Sequence, residues 1–126
     1  MQQSKRPVNL NLTKFHFPVM AIISILHRIS GVVLFFLSPY MLWLLQESLR
    51  SESSFQNLQE HLQRGCCKFL IWVLLSALTY HSVAGIRHLV MDMGWGESLK
   101  WGRIGSYIVL VVSIILIILA GIWVWR

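Results

Sequence analysis

Three long apolar runs limit what this chain can become. They cover residues 29–45, 69–86 and 104–125, and together they hold one imidazole, His81, and no Lys, Arg, Asp or Glu. A helix needs about 20 predominantly apolar residues to cross a bilayer. In a chain of 126 residues, such runs leave too little polar sequence to cover a soluble core. Only 13% of the residues are charged, about half the share usual in soluble domains. The expected fold class is an all-α membrane protein built as a single domain over residues 1–126. Transmembrane helices are expected over about 19–45, 68–91 and 104–125, after a cytoplasmic lead-in over 1–18.

The net charge of +6 raises the question of nucleic acid. The Lys and Arg residues form no dense run and no basic face, so no nucleic-acid partner is expected. They punctuate the apolar runs instead, as topology signals do. Lys5, Arg6, Lys14, Arg28, Arg87, Lys100 and Arg103 fall on one side, against Arg50, Arg64, Lys68 and Arg126 on the other. The larger group places the N-terminus in the cytoplasm of a bacterium, in a multi-pass inner membrane protein, or alternatively in the matrix at a mitochondrial inner membrane. Residues 1–17 are polar, with no short apolar core followed by small residues, which does not read as a cleaved signal peptide.

Between the spans, Phe55, Leu58 and Leu62 recur at helical spacing, so part of the polar first loop is expected as a short surface helix. His61 on that stretch reads as a solvated side chain. Cys66 and Cys67 are adjacent, with no CxxC spacing, and read as small hydrophobes near a membrane surface. Pro39 predicts a kink, and Gly94-Trp95-Gly96-Glu97 a turn.

Ionisable groups in lipid are costly and usually functional. Ser24, His27, Arg28 and Gly31 stand at i, i+3, i+4 and i+7, which puts them on one helical face. The glycine lets another surface come close. The first span enters where the second leaves, so His81, Arg87 and His88 fall in the same layer. A neutral imidazole in an apolar bundle suits a haem iron, and haem propionates want Arg and His near the membrane edge. Alternatively, Ser24 and Arg28 can hydrogen-bond a quinone carbonyl. Each residue also has a plainer reading: His81 and Ser24 as helix-packing groups, Arg28 as an inside anchor, and Arg87 and His88 as topology charges. His81 and His88 are two turns apart on one helix, so they cannot approach one iron from opposite sides. The second axial ligand must come from another helix, and His27 is geometrically possible.

Arg6-Pro7-Val8-Asn9-Leu10, Ser24-x-x-His27-Arg28-x-Ser30-Gly31, Tyr80-His81-x3-Gly85-x-Arg87-His88 and Met91-Asp92 together resemble the cytochrome b subunits that anchor succinate dehydrogenase, respiratory Complex II. The resemblance covers nearly the whole chain. It implies three transmembrane helices forming half of a haem- and quinone-binding bundle. It implies haem b shared with a second small anchor subunit, which supplies the other axial histidine. His81 matches the axial ligand to the haem iron, and His27, Arg28 and His88 match the propionate vicinity. Ser24 and Arg28 match the ubiquinone site, and iron–sulfur and flavoprotein subunits are the implied partners. The chain carries no flavin, dinucleotide or metal-cluster motif, so it is not expected to be an enzyme alone. Three rival readings are the anchor of a menaquinone-linked fumarate reductase, a cofactor-free structural subunit, and an ion-conducting subunit using the histidines as a relay.

Overall fold

The computed structural model describes residues 17–126. Apart from Phe17 and Pro18, the lead-in expected over 1–18 lies outside the described residues. Four helices follow in order: α1 (Val19–Arg50), α2 (Glu52–Leu62), α3 (Gly65–Asp92) and α4 (Leu99–Trp125). Three of them, α1, α3 and α4, are long and apolar enough to cross a membrane.

Each long helix outruns its expected bounds. α1 continues past residue 45 to Arg50, α3 starts at Gly65 rather than 68, and α4 starts at Leu99 rather than 104. Hydropathy marks where lipid ends, whereas helices stop at breakers and caps. Gln46, Glu47, Leu49 and Arg50 are good helix formers, and Ser48 bonds back to the Leu45 carbonyl at 2.7 Å. Ser51 ends α1 in extended geometry and caps α2 by accepting from Ser54 N, as a serine before a helix does. Ser98 caps α4 in the same way through Trp101 N. The turn before it uses Gly94 and Gly96 at φ +83° and +78°, a region that residues with a Cβ rarely enter.

Pro39 lies inside α1, which runs helical on both sides of it. A proline has no N–H to offer the carbonyl four residues back. That carbonyl, on Phe35, accepts the Ser38 hydroxyl at 2.7 Å. Satisfaction comes from within the helix rather than from a neighbour.

α3 is the middle helix, packed against both α1 and α4. The buried core takes one side chain from each long helix: Ile23, Ala84 and Val109. Close approach depends on small residues, as expected where lipid tails give helices little hydrophobic reason to associate. A Cβ on Gly121 would lie 3.0 Å from Trp72 Nε1, and that indole donates to the Ile117 carbonyl at 3.2 Å. Tyr80 donates its hydroxyl to the Ile23 carbonyl at 3.0 Å, tying α3 to α1. Large apolar side chains such as Phe35, Phe36, Ile86 and Trp123 point outward, which in lipid is their favourable side.

Candidate functional site

The site is the contact between the first half of α1 and the second half of α3. The two helices run antiparallel, so His27 near the start of one meets His81 and His88 near the end of the other. The His27 and His81 rings stack with centroids 4.0 Å apart and planes 16° from parallel. His88 closes the group, its ring 5.0 Å from His27 and tilted by 53°. The shared layer expected for the three histidines is therefore present.

Two glycines make room for the rings. A Cβ on Gly31 of α1 would lie 3.1 Å from His81 Cε1, and one on Gly85 of α3 would lie 3.4 Å from His27 Nε2. Each helix contributes a notch that receives the other's imidazole.

Hydrogen bonds assign the protons on His81. Ser30 Oγ donates to the His27 carbonyl at 2.7 Å, so its one proton is used. The 3.1 Å contact between Ser30 Oγ and His81 Nδ1 must then run from nitrogen to oxygen. His81 Nδ1 also reaches the His27 carbonyl at 3.2 Å. With the proton on Nδ1, the free lone pair sits on Nε2. No hydrogen-bond partner engages Nε2 among the described residues. A nitrogen held this way is a competent metal ligand.

His27 is different. Its Nε2 is buried and has no hydrogen-bond partner among the described residues. A buried unpartnered ring nitrogen costs free energy unless something else occupies it. Stacked rings show each other their faces rather than their nitrogens. At 4.0 Å there is no space for a macrocycle between His27 and His81, so His27 is not a second axial ligand opposite His81.

Ser24 is half-buried and Arg28 exposed. Neither side chain makes a hydrogen bond to another described residue, and both stand within one turn of His27. Arg87, expected in the same polar layer, turns to α4 instead. Its Nη2 donates to the Gly102 carbonyl at 3.2 Å, and a Cβ on Gly105 would lie 3.4 Å from its Nε. Position 87 is one residue, about 100°, from the face that carries His88, which aims it at the third helix.

Ser30 was not singled out as a site residue from the sequence, where it reads as one polar interruption in an apolar run. Its signal is the spacing of three from His27 and its place beside Gly31. His61, expected as a solvated side chain, is half-buried. It packs edge-on against Trp43 at 5.4 Å, with its Nε2 3.3 Å from Cys67 Sγ. α2 folds back over the end of α1 and turns His61 inward, burying Leu58 beside it. Cys66 and Cys67, expected as small hydrophobes near a membrane surface, are free thiols, Cys66 exposed and Cys67 buried.

Residues 2–120 match the family described as succinate dehydrogenase/fumarate reductase transmembrane subunit. The succinate dehydrogenase cytochrome b556 subunit of Coxiella burnetii is 55% identical over 123 residues, covering 97% of this chain and 98% of that one. The subunit of the same name from Rickettsia typhi is 37% identical over 122 residues, covering 96% and 93%. That of Paracoccus denitrificans is 29% identical over 120 residues, covering 94% and 92%. With three membrane-length helices and relatives of this kind from bacteria, the chain is a multi-pass inner membrane protein. It belongs to the succinate dehydrogenase/fumarate reductase transmembrane subunit family.

Proposed function

We propose that this chain is the haem-carrying half of the membrane anchor of a succinate:ubiquinone oxidoreductase. The observation that carries the reading is the state of His81: Nδ1–H held by the His27 carbonyl and Ser30, Nε2 free. His81 Nε2 would ligate the iron of haem b, and a second small anchor subunit would supply the opposite ligand. His27, whose ring stacks on His81, would stand beside the same group, where an imidazole near the membrane edge suits the propionates. His88 and Arg28 stand within reach of that region. Bound there, haem b supplies a one-electron store beside the quinone.

Ser24 and Arg28 act on ubiquinone. The Ser24 hydroxyl donates to a quinone carbonyl oxygen, and the Arg28 guanidinium stabilises negative charge as that oxygen is reduced. Both side chains are uncommitted among the described residues, so neither must break an internal bond to bind. Electrons come from succinate through a flavoprotein and an iron–sulfur subunit docked on the cytoplasmic side, the side that the excess of Lys and Arg favours for the N-terminus.

The test is complementation. In a host lacking its own cytochrome b anchor, this chain, expressed with its own complex's other subunits, should restore succinate-driven reduction of a ubiquinone analogue in membranes. Assembly with quinone reduction confined to menaquinone analogues would favour the fumarate reductase alternative. Assembly without any b-type haem would leave only an anchoring role.

A further inference from the structure

Ser30 is buried where α1 meets α3. Serines at helical positions commonly turn their hydroxyl onto the carbonyl three or four residues back. Ser38 and Ser48 do so here, each at 2.7 Å, and neither hydroxyl is also used across a helix contact among the described residues. Ser30 makes the same bond to His27 O, but its oxygen is also used across the helix interface by His81 Nδ1. The His81 N–H thus has two acceptors, Ser30 Oγ at 3.1 Å and His27 O at 3.2 Å. The His27 carbonyl belongs to the backbone and no substitution removes it. Ser30 is the acceptor that side-chain chemistry can tune.

We propose that Ser30 is a positioning residue that sets the donor strength of His81 and so depresses the reduction potential of the haem iron. This rests on the reading of His81 as an axial ligand. An acceptor on Nδ1–H pulls the imidazole toward imidazolate character, which makes Nε2 the better electron donor. A stronger donor favours the ferric state, and outer hydrogen bonds are among the levers by which a protein moves a haem potential. Ser30 also fixes the ring's rotation. With Gly31 closing on Cε1 from the next position, the ring is held from two sides.

The experiment is a potentiometric titration of the purified complex, followed at the b-type absorption band, for wild type, Ser30→Ala and Ser30→Thr. Ser30→Ala removes one of two acceptors, so its midpoint should rise. One hydrogen bond corresponds to roughly a three- to tenfold change in the reduced-to-oxidised ratio, or about 28–59 mV for one electron. Ser30→Thr keeps the hydroxyl and should stay near wild type. Haem lost from Ser30→Ala but held by Ser30→Thr is the same result in stronger form. An unchanged or lowered midpoint in Ser30→Ala overturns the inference. So does an equal displacement, or equal haem loss, in both variants, because packing rather than the hydroxyl would then be responsible. His81→Ala separates the two levels. If it keeps its haem, the ligand reading falls and this inference with it. If it loses haem while Ser30→Ala titrates like wild type, only the role of Ser30 falls.

Discussion

Gly31 of α1 lies against the edge of the His81 ring of α3, so close that a Cβ there would sit 3.1 Å from Cε1. The reciprocal contact, Gly85 of α3 against His27 of α1, is looser at 3.4 Å. The imidazoles are therefore seated by backbone, and the helices can approach no further without moving them.

Gly31→Ala should displace the His81 ring by a few tenths of an ångström and weaken haem retention. Overpacking at a tight contact costs about 1–3 kcal/mol. That corresponds to roughly a five- to 150-fold loss of affinity in a haem-dilution assay on the detergent-solubilised complex. Gly65→Ala is the control, since a Cβ there meets nothing within 4 Å, and it should retain haem like wild type. Equal retention in the two variants would show that the notch does not seat the ligand.

Arg28→Leu should leave the chain in the membrane and assembled. It should lower succinate-driven quinone reduction on the order of 100-fold, as loss of a donor aimed at developing charge does. Arg28 is exposed and makes no hydrogen bond to another described residue, so its removal strips no internal contact. Steady-state kinetics with a ubiquinone analogue decide the matter, and wild-type turnover would remove Arg28 from the quinone site.

Arg87→Leu should behave in the opposite way. Its guanidinium is spent on the Gly102 carbonyl, a charge-assisted bond between α3 and α4 of about 1.5–3 kcal/mol. Ser106 shares that carbonyl at 2.8 Å, which keeps it satisfied and places the effect toward the lower figure. The variant should unfold earlier in a detergent melt with quinone kinetics intact. A kinetic defect without a stability defect would return Arg87 to the site.

Tyr80→Phe removes the 3.0 Å bond to the Ile23 carbonyl and leaves the ring in place. The expected loss is about 0.6–1.5 kcal/mol in the same melt, the range for interhelical hydrogen bonds in membranes, with an unchanged haem spectrum. A spectral change would mean that Tyr80 steers its neighbour His81.

The three spans were legible because lipid imposes a simple rule on composition, and Val19–Arg50, Gly65–Asp92 and Leu99–Trp125 all contain the expected apolar runs. Their ends were not, because Ser51 and Ser98 cap helices outside the runs that hydropathy detects. The meeting of His27, His81 and His88 followed from antiparallel order and the cost of polar groups in lipid. Rotation about each helix did not follow. One residue of difference sends His88 to the imidazole group and Arg87 to α4, and three helices must be packed before either direction is known. Ser30 and His61 were hidden for the same reason: their partners, His81 and Cys67, are distant in sequence or come from a fold-back of α2.

The most direct measurement is the dithionite-reduced minus oxidised visible spectrum of the purified complex carrying His81→Ala, with a pyridine haemochrome assay of total haem. Loss of the b-type signal from a complex that still holds its partner subunits is the expected result, since the other imidazole on α3, His88, lies two turns away and cannot take the position of His81 Nε2. An intact b-type spectrum at full haem content would contradict the assignment of His81 as the iron's ligand.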